Sequence, residues 1–295
     1  MSPDMQVTLI DTRMGGHAGM TAAYLVHDSA PALVDTGTAL SAPIVLAALR
    51  DLGLGPDDLA WIVVTHVHLD HAGGAGALAA AFPRARVVVH EVGARHLADP
   101  TRLVASSARV HGPLMDTAYG VPQPIPTERI VAAGDRHRVP LGTRSLELLV
   151  TPGHAKHHLA AFDPLAGTLF TGDAAGLLVH PMRAPRPATP PPDFDLEAAR
   201  TSLATMAERD AEHLLLAHFG AVATPSAWLS TMDRIHLDWC AVAKQAGPSP
   251  NDIEAALLAA FADDEGLRNA DPARFALFGG FQANALGLAH WLGGH

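Results

Sequence analysis

The stretch Trp61–Gly74, WIVVTHVHLDHAGG, decides how this chain is read. WIVVT is apolar and rich in β-branched residues, so it reads as a buried strand. His66, His68, Asp70 and His71 follow within six residues. In extended backbone, residues i and i+2 project to the same side, so His66 and His68 can grip one ion. A turn after Leu69 would swing Asp70 and His71 toward a second ion. Gly73 and Gly74 let the backbone tighten before a helix read over 73–82. Four ligands on one strand end are too few to close two tetrahedral sites, so the remainder must come from elsewhere.

Three further candidates stand in equivalent places. His154 lies in TPGH after an apolar run at 146–150, Asp173 in FTGD after 168–171, and His218 in LLLAHFG after 213–217. Each follows a predicted strand, which places all of them on one rim of the sheets, where a rigid scaffold presents functional side chains. The chain holds 18 histidines, and neutral imidazole is the commonest metal ligand. His17, His157 and His180 fall near the same rim and are candidates for touching a substrate.

Composition narrows the alternatives. The 295 residues are 48% hydrophobic and 17% charged, which excludes a disordered chain and suits one large domain or two modest ones. A net charge of −10, with Lys and Arg scattered singly, argues against a nucleic-acid partner, since neutralising phosphates needs clustered cations. No apolar run reaches the length of a membrane span and no secretory signal is visible, so a membrane partner is not expected. Cys240 is the single cysteine. It excludes an intrachain disulfide, makes the cytoplasm the default compartment, and reads as a core residue. The oligomeric state is open.

Strands are predicted over 6–10, 22–27, 32–34, 61–65 and 86–90, with helices over 41–52, 73–82 and 101–111. From 129 to 150, alternating apolar residues around Gly134-Asp135 and Leu141-Gly142 read as hairpins, as do 158–162 and 168–171 around Asp163-Pro164. The expected fold class is α+β: a four-layer αβ/βα sandwich of two mixed sheets flanked by helices, with a C-terminal helical extension. HPMRAPRPATPPP, residues 180–192, holds six prolines and excludes helix and central strand. Beyond it, Asp195 caps a helix over 196–207, 213–217 is the last strand, and helices are read over 225–246, 251–262 and 272–291. Residues 1–222 thus read as the catalytic body and 223–295 as an extension packed on it. That extension carries Phe278 and Phe281, which are candidates for an apolar pocket wall, and Asn284, the polar residue expected to be buried and hydrogen-bonded.

The series His66-x-His68-x-Asp70-His71, then His154, Asp173 and His218 at spacings of 83, 19 and 45, resembles the metallo-β-lactamase superfamily over residues 5–222. The resemblance implies that His66, His68 and His154 hold one metal, that Asp70, His71 and His218 hold a second, and that Asp173 bridges them. It implies that Asp35, in LVDTG, supports the metal loop from behind. It implies two divalent ions, zinc first, with manganese or iron chemically open. The implied activity is that of a hydrolase in which a metal-bound hydroxide attacks a small ester, lactone or organophosphate, with Asp70 orienting the nucleophile and passing a proton. The resemblance extends to a prokaryotic branch with TPGHAxHH, LAHFG and a helical extension. The apolar AAGLLV after Asp173 suits a small, neutral, apolar substrate. The alternatives are a mononuclear iron sulfur dioxygenase-like enzyme and a glyoxalase II-like thioester hydrolase. The segment from 174 to 182 carries none of the basic residues that the second alternative uses.

Overall fold

Strands buried on both faces need cover on both sides, and this chain supplies it with two facing sheets and two outer layers of helix. The computed structural model describes residues 6–179, 185–263, 268, 277 and 280–294. The first sheet runs in chain order through β1 (Val7–Asp11), β2 (Ala22–Val26), β3 (Ala32–Val34), β4 (Trp61–Val63), β5 (Arg86–His90) and β6 (Ile130–Ala133). Its first three strands pair antiparallel and the rest parallel. The parallel steps need crossovers. α1 (Ala42–Asp51), the short α2 (Leu69–Ala72) with α3 (Ala75–Ala81), and α4 (Glu91–Ala98) with α5 (Thr101–His111) provide them.

The second sheet comprises β7 (Arg138–Pro140), β8 (Ser145–Val150), β9 (Leu159–Asp163), β10 (Thr168–Phe170), β11 (His213–Leu216) and β12 (Gly220–Val222). Only β10 and β11 pair parallel, and α6 (Leu196–Ala207) lies between them in the chain. Val34, Val63 and Val88 meet Leu146, Leu148 and Phe170 between the sheets. The buried Tyr24 hydroxyl donates to the Leu216 carbonyl, and the Trp61 indole N–H donates to the Pro140 carbonyl at 2.8 Å, tying sheet to sheet. Outside the first sheet lie Val45, Leu49, Leu78 and Leu97 of its helices. Outside the second lie Leu203 and Met206 of α6 with Leu229 and Met232 of α7 (Pro225–Ala246). The expected four-layer sandwich is present.

Three local readings differ from the structure. Gly134-Asp135 is not a hairpin turn: β6 pairs parallel with β5 in the first sheet, and the chain then crosses to open the second sheet at β7. Alternation of apolar residues marks both strands but cannot say that they belong to different sheets. The helix read over 73–82 starts earlier and is broken at Gly73-Gly74, with α2 before the break and α3 after it. A Cβ at Gly74 would sit 2.7 Å from the Thr36 carbonyl oxygen, so the glycine permits close passage of the β3–α1 loop. The strand at 213–217 is not the last, because β12 follows as a short edge strand.

Beyond the sandwich, α7, α8 (Pro250–Ala260) and α9 (Gln282–Leu292) enclose Trp239, Ile253, Leu257, Phe281 and Leu288. Asp195 caps α6 by accepting from the Ala198 N–H at 2.8 Å. Cys240 is buried, and burial pushes its thiol up to about 12, so it packs as an apolar residue. Among the described residues no helix is long and apolar enough to cross a membrane.

His236 of α7 is buried; its Nδ1–H donates to the Met232 carbonyl at 2.8 Å, and its ring stacks on Phe194. Burial pushes its pKa down to about 4 from the ordinary imidazole value of 6.5. As pH falls below 6.5 the unfolded chain takes up a proton that the folded chain refuses, so stability declines until the folded group titrates near 4. The loss amounts to about 3 kcal/mol at one pKa unit per ~1.4 kcal/mol. His236→Gln, which can still donate to Met232, should be less acid-sensitive than the wild-type protein across that window when chemical denaturation is followed against pH. Identical profiles would contradict this.

Candidate metal centre

The C-terminal ends of four strands meet at one rim. His66 follows β4, and Asp70 and His71 occupy the first turn of α2. His154, Asp173 and His218 follow β8, β10 and β11. The structure therefore brings together all seven residues that the sequence singles out as ligands.

They form two adjoining groups. In the first, His66 Nε2 lies 2.9 Å from His68 Nδ1, His154 Nε2 lies 3.0 Å from His68 Nδ1, and His154 Nε2 lies 3.2 Å from His66 Nε2. In the second, His71 Nε2 lies 3.1 Å from His218 Nε2, and Asp70 Oδ2 lies 3.7 Å and 3.5 Å from these two nitrogens. Asp173 stands between the groups. Its Oδ1 is 3.3 Å from both His71 and His218, and its Oδ2 is 3.5 Å from His154.

The groups behind the imidazoles decide which nitrogen faces inward. His154 Nδ1 is 3.0 Å from the Ala188 carbonyl and His218 Nδ1 is 2.8 Å from the Met20 carbonyl. A carbonyl only accepts, so both Nδ1 atoms carry a proton, and whenever the ring is neutral its inward Nε2 presents a lone pair. His71 Nδ1 donates likewise to Asp35 Oδ2 at 3.0 Å. The Thr65 hydroxyl donates its proton to Asp35, so it accepts from His66 Nδ1 at 3.1 Å. Neutral His66 and His154 thus face each other lone pair to lone pair, while His71 and His218 turn their Nε2 atoms toward each other and toward the Asp70 and Asp173 carboxylates. Asp173 Oδ1 is a buried oxygen with no hydrogen-bond partner. Facing lone pairs around an unpartnered carboxylate oxygen are repulsive unless a cation lies among them. The donor set therefore fits divalent metal.

The charge balance points the same way. Burial would push His71 and His218 down, but Asp173 and Asp70 outweigh it and hold both above the ordinary imidazole range, His71 well above. Burial would raise Asp173, yet His71, His218 and His154 hold it well below the usual carboxylate range. Burial and the neighbouring imidazoles keep His66 and His68 well below the ordinary range, hence neutral. The second group draws positive charge toward its carboxylates, while the first offers three uncharged nitrogen donors.

Asp35 ties the two groups from behind. It accepts from the Thr65 N–H at 2.8 Å as well as from His71, while Thr65 braces His66. Asp35 holds a left-handed backbone conformation, with φ 59°. His158 was not singled out from the sequence. It is fully buried, its Nε2 accepts from the Asp173 N–H at 3.0 Å, and its Nδ1–H donates to Thr151 Oγ1 at 2.8 Å. The only signal was its place in HAKHHL, where spacing cannot say which of three histidines faces the site.

The ligand groups floor a cleft of about 680 Å³, with Asp70, His154, Asp173 and His218 among its lining. His157 lines it too, while His17 does not. His180 and Phe278 lie outside the described residues. Phe281 differs from the expectation of a pocket wall. It is fully buried, 5.6 Å ring to ring from both Trp239 and Phe261, because the apolar stripe it shares with Ala285 and Leu288 faces the helical core. Gly280, Ala283 and Asn284 border the cleft instead. Arg95 and Arg109, carried by α4 and α5, also line it, with Lys156 and Arg186. Arg95, Arg109 and Lys156 precede Asp173 in the chain, and Arg186 lies beyond the 174–182 segment.

The sequence profile of the metallo-beta-lactamase superfamily matches residues 17–218. The chain belongs to that superfamily. It is 30% identical over 169 residues to a metallo-beta-lactamase fold-containing protein of Sulfurisphaera tokodaii, covering 56% of this chain and 62% of that one. It is 31% identical over 150 residues to a hydroxyacylglutathione hydrolase of Synechococcus, covering 51% and 47%. The chain thus spans less than two thirds of the length of these curated relatives. Among solved structures, a metallo-beta-lactamase family protein of Thermus thermophilus superposes with a TM-score of 0.68 at 25% identity, covering 97% of this chain and 93% of the other.

Because Asp173 stands between the groups, its loss should separate them. If each group takes an ion, Asp173→Ala should retain one on the three histidines and bind the other about 10–100-fold more weakly, while circular dichroism stays that of the wild-type protein. Metal analysis after dialysis against dilute chelator reads this out. Two tightly held ions in the variant would contradict it.

Proposed function

We propose that the protein is a metal-dependent hydrolase of a small ester-type substrate, working with two divalent cations, zinc first among them. The observation that carries this reading is the pair of ligand groups sharing Asp173 on the floor of an open cleft. His66, His68 and His154 would hold one ion and Asp70, His71 and His218 the other, with one Asp173 oxygen toward each group. An all-nitrogen-and-oxygen donor set suits zinc, with manganese or iron as chemical alternatives. Bound ions supply a water of lowered pKa and a Lewis acid for the oxygen under attack.

The chain's own residues do the rest. Asp35, Thr65, Ala188 and Met20 fix the inward face of four imidazoles, so the ligands need little reorganisation. Asp70 faces His71 and His218 and also borders the cleft, which makes it the carboxylate placed to hold a proton and return it to a leaving group. Val92, Leu103, Val110 and Leu177 give the cleft an apolar wall suited to an acyl or aryl group.

Thioester hydrolysis in the manner of the hydroxyacylglutathione hydrolases is a second reading, favoured by one observation. Arg95, Arg109, Lys156 and Arg186 all border the cleft of an otherwise acidic chain. Lys156 is paired with Asp193 at 3.3 Å, but the exposed Arg95 and Arg109 border the cleft, where they could meet a carboxylated substrate tail. The expected preference for a neutral substrate rests on AAGLLV, of which only Leu177 borders the cleft.

The zinc-loaded protein, assayed against aryl esters, lactones, a phosphotriester and S-lactoylglutathione, tests the reading. Hydrolysis lost to chelator and restored by zinc supports it. One tightly held iron with thiol-dependent oxygen uptake would replace it with a dioxygenase. Asp70→Asn should lower kcat by about 10²–10⁴-fold while metal content changes far less; normal turnover per bound metal would reduce Asp70 to a ligand. Arg95→Ala with Arg109→Ala should raise KM for a carboxylated substrate and leave a neutral aryl ester unaffected. Equal effects on both substrates would remove the second reading.

A further inference from the structure

The proline-rich segment between β10 and α6 returns to the metal centre in a form the sequence does not suggest. Its described part, PRPATPPP over 185–192, has few backbone N–H groups with which to anchor itself, because proline has none. Two points hold it. Arg186 exchanges backbone hydrogen bonds with Leu177, at 3.0 and 2.8 Å. Three residues on, the Thr189 N–H donates to Asn284 Oδ1 at 2.7 Å, and the Thr189 hydroxyl lies 3.1 Å from the same oxygen and 3.3 Å from the Asn284 backbone carbonyl. Between these anchors lies Ala188, whose carbonyl accepts from His154 Nδ1.

Asn284 belongs to α9, far beyond the last ligand in the chain. One turn further along α9, a Cβ on Gly287 would sit 1.9 Å from the Thr189 carbonyl oxygen and 2.7 Å from the Pro190 carbonyl carbon. The helix therefore touches the segment backbone to backbone, at a distance only glycine permits. Thr189 is fully buried in this contact.

We infer that Asn284 is a positioning residue for His154: it clamps Thr189, which holds the Ala188 carbonyl where it dictates the tautomer and tilt of the His154 ring. The inference rests on reading His66, His68 and His154 as a ligand set. The C-terminal helix thereby sets the affinity of the three-histidine group, while the group of Asp70, His71 and His218 takes its support from Asp35 and the Met20 carbonyl. A helix that only completed the fold would affect both groups alike.

The test is competitive titration of cobalt(II) and zinc against a chromophoric chelator, using full-length wild-type protein, Asn284→Ala, Asn284→Asp and His154→Ala. Asn284→Ala should weaken one ion by about 10–100-fold, the range for loss of a group that orients a ligand, and leave the other within a factor of about two. Asn284→Asp keeps an acceptor oxygen for Thr189 and should restore wild-type affinity. Imidazole nitrogen shifts in the metal-free protein should show His154 losing its single tautomer in Asn284→Ala and keeping it in Asn284→Asp. Should the alanine variant fail to fold, Asn284→Ser, shorter but still polar, is read in its place. Unchanged affinities and tautomer, or equal weakening of both ions, would overturn the inference. If His154→Ala loses no ion, the ligand reading itself fails, an outcome distinct from the one in which His154→Ala loses an ion and Asn284→Ala does not.

Discussion

Imidazole nitrogens crowded face to face in a buried space are the constraint on which the rest of this structure depends. His66 and His154 meet at 3.2 Å through nitrogens that neutral rings leave unprotonated, and His71 and His218 meet at 3.1 Å beside the Asp70 and Asp173 carboxylates. No side chain arranges itself this way for its own sake. The arrangement is imposed from behind by a carboxylate, two backbone carbonyls and a threonine hydroxyl, and positive charge among the nitrogens relieves it. Much of the fold serves to hold those acceptors in place. Asp35 leaves β3 in a left-handed conformation, Met20 precedes β2, Thr65 follows β4, and Ala188 sits in a segment clasped by the last helix.

The two-sheet core makes such an arrangement affordable. Ligands at the ends of β4, β8, β10 and β11 stand on backbones whose side chains are closed between Val63, Leu148 and Phe170 on the inside and helices on the outside. The repulsion is local, and apolar burial across both layers is large beside it.

The fold was legible in the sequence because buried strands and histidine-rich turns alternate in a short space. WIVVT followed by HVHLDH names both a strand and what stands at its end, and the same logic places His154, Asp173 and His218. Sequence did not reveal partition between sheets, because β6 and β7 share an alternating pattern while facing different partners. Nor did it reveal cleft walls assembled from distant elements. Arg95 and Arg109 reach the site from α4 and α5, so the residues that follow Asp173 carry no sign of them. Phe281 and Asn284 show the limit most clearly. Both stand near the start of one helix, yet register turns Phe281 into the helical core and Asn284 toward Thr189 and the cleft.

Anomalous diffraction from crystals of the zinc-loaded protein, collected on both sides of the zinc absorption edge, decides whether the two ligand groups hold separate ions. Two peaks are expected on the cleft floor. One should be bound by His66 Nε2, His68 Nδ1 and His154 Nε2, and the other by His71 Nε2, His218 Nε2 and Asp70, with Asp173 touching both. A single peak with Asp173 turned away, or ions held by other residues while these imidazoles keep to themselves, would contradict it.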